Sequence, residues 1–215
     1  PTTNAMSYLA VRCAIGGSIP NCEGYMRAIT ATAPLGSLVN PVEPAPCGAR
    51  GITCFRMFDT LLGAFAQIMP DRIPAANEGG SSAPHIAGRD HNNKPFMASG
   101  GLMGAWGGSM ARDGQEGISN PAANLGNTPI ELMETRQPVE ITKYSFVQNS
   151  GGPGRNRGGA ALQRGYRLLA DEAKLIMRSD RRKVTPYGLS DGLPGTPSWN
   201  IINHGSEQQI LPVCP

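Results

Sequence analysis

The sequence predicts an α+β fold: a glycine-rich mixed α/β part over residues 1–135, then an antiparallel β-rich part over residues 136–215. Three observations predict it. Phe58, Leu61, Leu62 and Phe65 stand at i, i+3, i+4 and i+7, the spacing of one buried helical face. From Val139 onward, apolar and polar residues alternate as they do in half-buried strands. Throughout, 28 glycines and 19 prolines, about a fifth of the chain, punctuate the apolar segments into many short elements.

A first helix is expected from Thr3 as N-cap, with Met6, Leu9, Ala10 and Cys13 on one face and Gly16-Gly17 ending it. Met26 to Ala33, partly β-branched, reads as a strand, and Pro41 to Pro46 as an extended stretch, because proline fixes φ and donates no hydrogen bond. Thr53 is expected to cap the core helix over residues 53–69, which Pro70 closes. Asp90-His91-Asn92-Asn93 reads as a hairpin loop with a short strand on each side. Thr128-Pro129-Ile130-Glu131 predicts a second short helix, with threonine as N-cap, proline at the first helical position and Glu131 closing a capping box. Val139 to Val147, Ala160 to Leu169 and Ala173 to Arg178 read as strands, with Asp171-Glu172 turning the chain between the last two. Trp199 to Asn203 and Gln208 to Val213 complete a final hairpin around His204-Gly205.

Composition narrows the function. No apolar run is long enough to span a bilayer. A net charge of +3 and 6% aromatic residues argue against a nucleic-acid-binding module. Five cysteines, an odd number without a CxxC pair, suggest reduced thiols in a cytoplasmic protein rather than a disulfide framework. Pro1 opens the sequence without a signal-peptide pattern, and a helix follows at once, so an upstream part that is missing, processed away or carried on another polypeptide is expected.

Four groups of residues could carry chemistry. In Ser150 to Gly159, SGGPGRNRGG, neither the lysine of a P-loop nor a following helix is present. The residues leave two readings open, a glycine-permitted bend or an anion contact through Arg155 and Arg157. Glu131 and Glu134 share a helical face and could hold a metal or act as an acid/base pair, although Glu131 has the capping role. His85, Asp90 and His91 have the residue types of a metal site, but the hairpin accounts for them and no metal ligand is assigned. Arg178-Ser179-Asp180-Arg181-Arg182 lies at a strand end, where functional residues gather, or is a self-paired charge cluster.

Taken in order, Leu38-Val39-Asn40-Pro41, Ala49-Arg50-Gly51, Gly88-Arg89-Asp90, Arg112-Asp113-Gly114, Asn127 to Glu134, Asn149 to Gly154, Arg178 to Arg181 and Pro186-Tyr187-Gly188 resemble the C-terminal half of the hydantoinase B/oxoprolinase family. The resemblance implies part of a B-type subunit of an ATP-dependent cyclic-amide hydrolase, acting on a hydantoin, an oxoproline or a lactam. It implies an A-type ATPase partner that binds ATP and Mg and phosphorylates the substrate carbonyl, after which the B-type component completes ring opening. It places a divalent metal in the family's N-terminal half, after which this sequence is expected to start, so that half is a second expected partner. A ketone carboxylase using bicarbonate as acceptor, and a structural subunit donating no catalytic group, are the alternatives. Glu134, Arg178 and Asp180 are the candidate catalytic residues, and Arg155, Arg157 and Arg181 the candidate contacts to substrate or anion.

Overall fold

A computed structural model describes residues 2–80, 82–203 and 207–212. The elements run α1 (Thr2–Ile15), α2 (Glu23–Met26), α3 (Arg50–Ala66), β1 (Ala83–Arg89), β2 (Pro95–Ser99), α4 (Ile130–Arg136), β3 (Val139–Phe146), β4 (Leu162–Leu168), β5 (Ala173–Arg178), β6 (Ile201–Ile202) and β7 (Gln209–Ile210). This is the expected mixture of helices and antiparallel sheets. Three sheets form, in the orders β2-β1-β5, β3-β4 and β6-β7.

The spacing that predicted α3 buries Phe58 and Leu62 fully and Leu61 and Phe65 in part, against Ala10 and Ala14 of α1. Trp106 meets Phe58 edge to face, ring centroids 6.5 Å apart. The helix starts at Arg50, ahead of the expected Thr53. Ala49 takes the N-cap place in the left-handed region (φ 59°), without a side-chain cap that the sequence could have announced. A second core gathers Ile86, Ala98, Met133 and Val139 from β1, β2, α4 and β3. It draws on residues from both sides of position 135.

Further expectations are corrected. Thr3 lies inside α1, which already includes Thr2, and is not its N-cap. Met26 to Ala33 forms no strand. Its first residue ends α2, which Tyr25 anchors by donating its hydroxyl to the Tyr8 carbonyl at 2.6 Å, and no partner strand pairs with the rest. Thr128 does not cap α4. The helix starts one residue too late for the capping box, with Pro129 as N-cap and no side-chain cap bond. Asp171-Glu172 does join β4 to β5, but the two strands do not pair. β4 lies on β3, and β5 crosses to β1, with Ile86 opposite Leu175.

The expected hairpin at 90–93 forms, the Asp90 carboxylate accepting from the Asn92 and Lys94 amides at 2.9 Å each. In the last hairpin β6 pairs with β7; His204, Gly205 and Val213, and also Cys214, lie outside the described residues. SGGPGRNRGG is a backbone knot. Gly114 and Gly159 donate to the Arg157 and Trp106 carbonyls at 2.8 and 2.9 Å, and Leu193 to Pro153 at 2.9 Å. Among the described residues no helix is long and apolar enough to cross a membrane.

Candidate functional site

Two loops leave the cores and run side by side. The 74–80 loop donates from Ala75 to the Gly108 carbonyl and from Glu78 to the Ala105 carbonyl, both at 2.9 Å, and from Ala76 to the Tyr187 carbonyl at 3.1 Å. It is thereby held between the 103–108 loop and the segment that follows β5, and at Gly79 it meets Arg56 of α3. Gly79 has φ +97°, and a Cβ there would stand 2.5 Å from Arg56 Cζ, so only glycine leaves the room that the Arg56 guanidinium occupies.

The result is a largely buried cluster of charges. Arg181 Nη2 donates to Asp59 Oδ2 at 2.6 Å, and Arg181 Nε to the Asn77 carbonyl at 3.0 Å. The Arg181 and Asp59 side chains are 8% and 11% exposed. Arg56 stands farther off, 3.8 Å from Asp59 and 3.7 Å from Asp180, and its side chain is 32% exposed. Those separations allow Coulomb attraction without a hydrogen bond. The Asn77 side chain accepts from the Gly79 amide at 2.7 Å. The Tyr187 hydroxyl packs where a Gly63 side chain would be.

Burial and then the Asp180 charge push the Glu78 carboxyl up to about 8, although Arg56, the Gly104 amide and Arg181 oppose the shift. Burial pulls Arg56 down from its ordinary value, with Asp180 acting against it, and burial followed by Asp59 raises the Tyr187 phenol. The cluster thus holds two cations, two anions and a carboxyl that stays protonated at neutral pH.

The Glu78 shift bears on stability. Its pKa is higher folded than unfolded, so the folded chain keeps a proton that the unfolded chain releases above the ordinary value of 4.5. Stability should therefore fall as pH rises from about 4.5 to about 8 and level off above that. Glu78→Gln, uncharged at every pH, should flatten that slope and raise stability near pH 8 by upward of about 1 kcal/mol in urea titrations.

The sequence profile of the hydantoinase B/oxoprolinase family matches residues 1–213. The chain belongs to that family. A Pseudomonas sp. (strain NS671) protein, provisionally named as the B component of a D-/L-hydantoinase, is 32% identical over 200 residues, 90% of this chain and 33% of that protein. The 5-oxoprolinase of Saccharomyces cerevisiae is 27% identical over 215 residues, 95% of this chain and 16% of that one. This hydantoinase B/oxoprolinase chain thus spans about a third of the length of the first relatives it matches. In fold it is similar to the nucleotide-free structure of acetone carboxylase, with a TM-score of 0.55 at 16% identity, over 68% of this chain and 20% of that one.

Of the residues singled out in the hydantoinase B/oxoprolinase sequence, the structure brings Asp180 and Arg181 together in the cluster. Arg178, at the end of β5, pairs with Ala83 and has a buried Nε without a partner. Glu134 lies elsewhere, accepting from the Ile141 amide at 2.7 Å and so tying α4 to β3. Arg157 faces Asp113 and Glu116 of its own chain at 3.6 and 3.0 Å, and Arg155 is exposed. His85 meets Ser99 on the sheet and His91 meets Asn92 in the hairpin loop. Among the described residues, no three His, Cys, Asp or Glu side chains converge as a metal site.

Arg56, Asp59, Asn77, Glu78 and Tyr187 are the members that sequence reasoning missed. The run Asn77-Glu78-Gly79-Gly80, polar residues before two glycines, was the available signal. A surface cleft of about 350 Å³, lined by Thr2, Met6, Arg50, Cys54, Phe55 and Ala122 among others, includes none of the cluster.

Proposed function

We propose that the chain is part of the B-type subunit of an ATP-dependent cyclic-amide hydrolase, and that the cluster of Arg56, Asp59, Asn77, Glu78, Asp180 and Arg181 is its contribution to the site. Family membership over residues 1–213, with relatives named as the B component of a hydantoinase and as 5-oxoprolinases, is the observation that carries it. An A-type ATPase partner holds ATP and Mg and phosphorylates the amide oxygen. The rest of the B-type polypeptide carries a divalent metal, and water then opens the ring. Phosphorylation makes a stable amide electrophilic, and a preorganised, largely dry set of charges suits the handling of an activated, polar intermediate. The thiols of Cys13, Cys22, Cys47 and Cys54 are free, in keeping with a cytoplasmic setting.

Product analysis tests the proposal. The complex assembled with its A-type partner and the remainder of the B-type polypeptide is supplied with ATP and, in turn, a hydantoin, an oxoproline and a lactam. The expected result is a ring-opened acid formed together with ADP. A carboxylated ketone appearing only with bicarbonate would assign a carboxylase instead. In the same complex, alanine at both Arg155 and Arg157 should weaken assembly or turnover if those arginines meet a partner or an intermediate. An unchanged enzyme would confine them to the knot.

A further inference from the structure

We propose that the open edge of β5 receives a strand from the rest of the B-type polypeptide, which extends the β2-β1-β5 sheet and finishes its core. The inference rests on the reading of this chain as part of a longer B-type subunit, and not on the reaction that subunit performs.

The ladder shows which backbone groups are open. Just before β1, Leu102 donates to the Ser82 carbonyl at 2.7 Å, and just after it Asp90 donates to the Lys94 carbonyl at 2.9 Å. In an antiparallel strand the N–H and C=O of one residue point to the same side, and the side alternates along the chain. Even-numbered residues of β1 therefore bond toward β2 and odd-numbered ones toward β5. Pro84 and Pro95 agree with this parity, since both fall where a ladder needs no N–H. Opposite Ala83, His85 and Ala87 stand Arg178, Ile176 and Lys174 of β5. That leaves the amides and carbonyls of Ala173, Leu175 and Met177 pointing away from β1. Among the described residues β5 pairs with no second strand, and no loop backbone bonds to those groups.

The edge is apolar on both faces. Leu175 lies opposite Ile86, in the row that continues to Ala98, yet it is 42% exposed while those two are buried. Ile176, on the other face beside His85, is 54% exposed. The core of Ile86, Ala98, Met133 and Val139 thus stops short at β5. A strand laid on that edge bonds to Ala173, Leu175 and Met177, and apolar side chains at its alternate positions cover Leu175. The other edges are guarded. β2 opens with Pro95 and has α4 alongside, where Met97 and Ser99 line a cleft with Leu132 and Arg136. β3 bulges between Ile141 and Lys143, and Glu134 takes the Ile141 amide. β4 carries Arg164 and Arg167. β5 has no proline, and no bulge interrupts its ladder. Length names the occupant. The chain spans about a third of the first relatives it matches, so about twice as much polypeptide lies outside it. Within one subunit that remainder is held beside the edge at high local concentration, as a second copy is not.

Amide exchange, read residue by residue by NMR on the labelled chain, alone and mixed with the remainder of the B-type polypeptide, provides the test. In the chain alone the Lys174, Ile176 and Arg178 amides should exchange slowly, and those of Leu175 and Met177 freely. With the remainder bound, Leu175 and Met177 should slow at least about a hundredfold. Leu175→Pro removes an outward N–H and no bond to β1. Ile176 and Arg178 should therefore stay slow in that variant, while its affinity for the remainder falls at least about tenfold below that of Leu175→Ala, which keeps the N–H. If the proline variant unfolds, exchange of the unmodified chain still decides. Leu175 and Met177 amides that stay fast in the bound state, no association between the two parts, or equal affinity of a folded proline variant and the alanine variant would overturn the proposal. Protection of those two amides in the chain alone, rising with its concentration, would assign the edge to a second copy and overturn it as well. None of these readouts uses turnover, so the hydrolase function stands or falls separately.

Discussion

Arg181→Ala should lower the stability of the chain by about 3–5 kcal/mol, read as a shift of the urea midpoint at constant slope. The size follows from what remains behind. Arg181 Nη2 lies 2.6 Å from Asp59 Oδ2, and the two side chains are 8% and 11% exposed. Removing the guanidinium leaves a carboxylate out of water with only Arg56, at 3.8 Å, as compensation. It also takes the Nε donor from the Asn77 carbonyl, loosening the 74–80 loop from the segment after β5. The double variant Arg181→Met with Asp59→Leu should cost much less than Arg181→Ala, because it removes both charges and refills the volume. Equal losses for the two would mean that packing, and not the unpaired charge, dominates.

Gly114→Ala should cost about 3 kcal/mol, at the upper end of what overpacking does. A Cβ at this position would overlap the Trp106 carbonyl oxygen and stand 2.5 Å from the Gly159 nitrogen and 3.0 Å from the Gly107 carbonyl carbon. All three obstacles are backbone, so no rotamer change relieves them. The new methyl also intrudes where Gly159 donates to Trp106 at 2.9 Å. Gly126→Ala serves as control, because nothing lies within 4 Å of the Cβ it would add; its midpoint should move by less than about 0.5 kcal/mol. A tolerated alanine at 114 would show that the knot of loops around SGGPGRNRGG is not close-packed.

The sequence made local structure legible and left the site mostly hidden. The α3 face could be read because Phe58, Leu61, Leu62 and Phe65 carry a helical period within eight residues. Its start could not, because Ala49 makes the turn without a capping residue or a glycine. β5 was visible as a strand by alternation, but its pairing with β1, some ninety residues earlier in the chain, has no local signature. The same holds for the cluster. Asp180 and Arg181 stood out as charges at a strand end, whereas Asp59 and Asn77 meet Arg181 across 122 and 104 residues of chain. Arg56 and Asp59 read as the ordinary polar side of an amphipathic helix, and only the fold turns that side toward another loop.

That the buried charges between α3, the 74–80 loop and the segment after β5 serve ring opening is tested most directly by one rate. This is the ATP-dependent opening of a cyclic amide by the assembled complex carrying Arg56→Gln, with native mass confirming assembly. The predicted result is a loss of turnover of at least about tenfold with the assembly intact. Full turnover by that intact complex would contradict it.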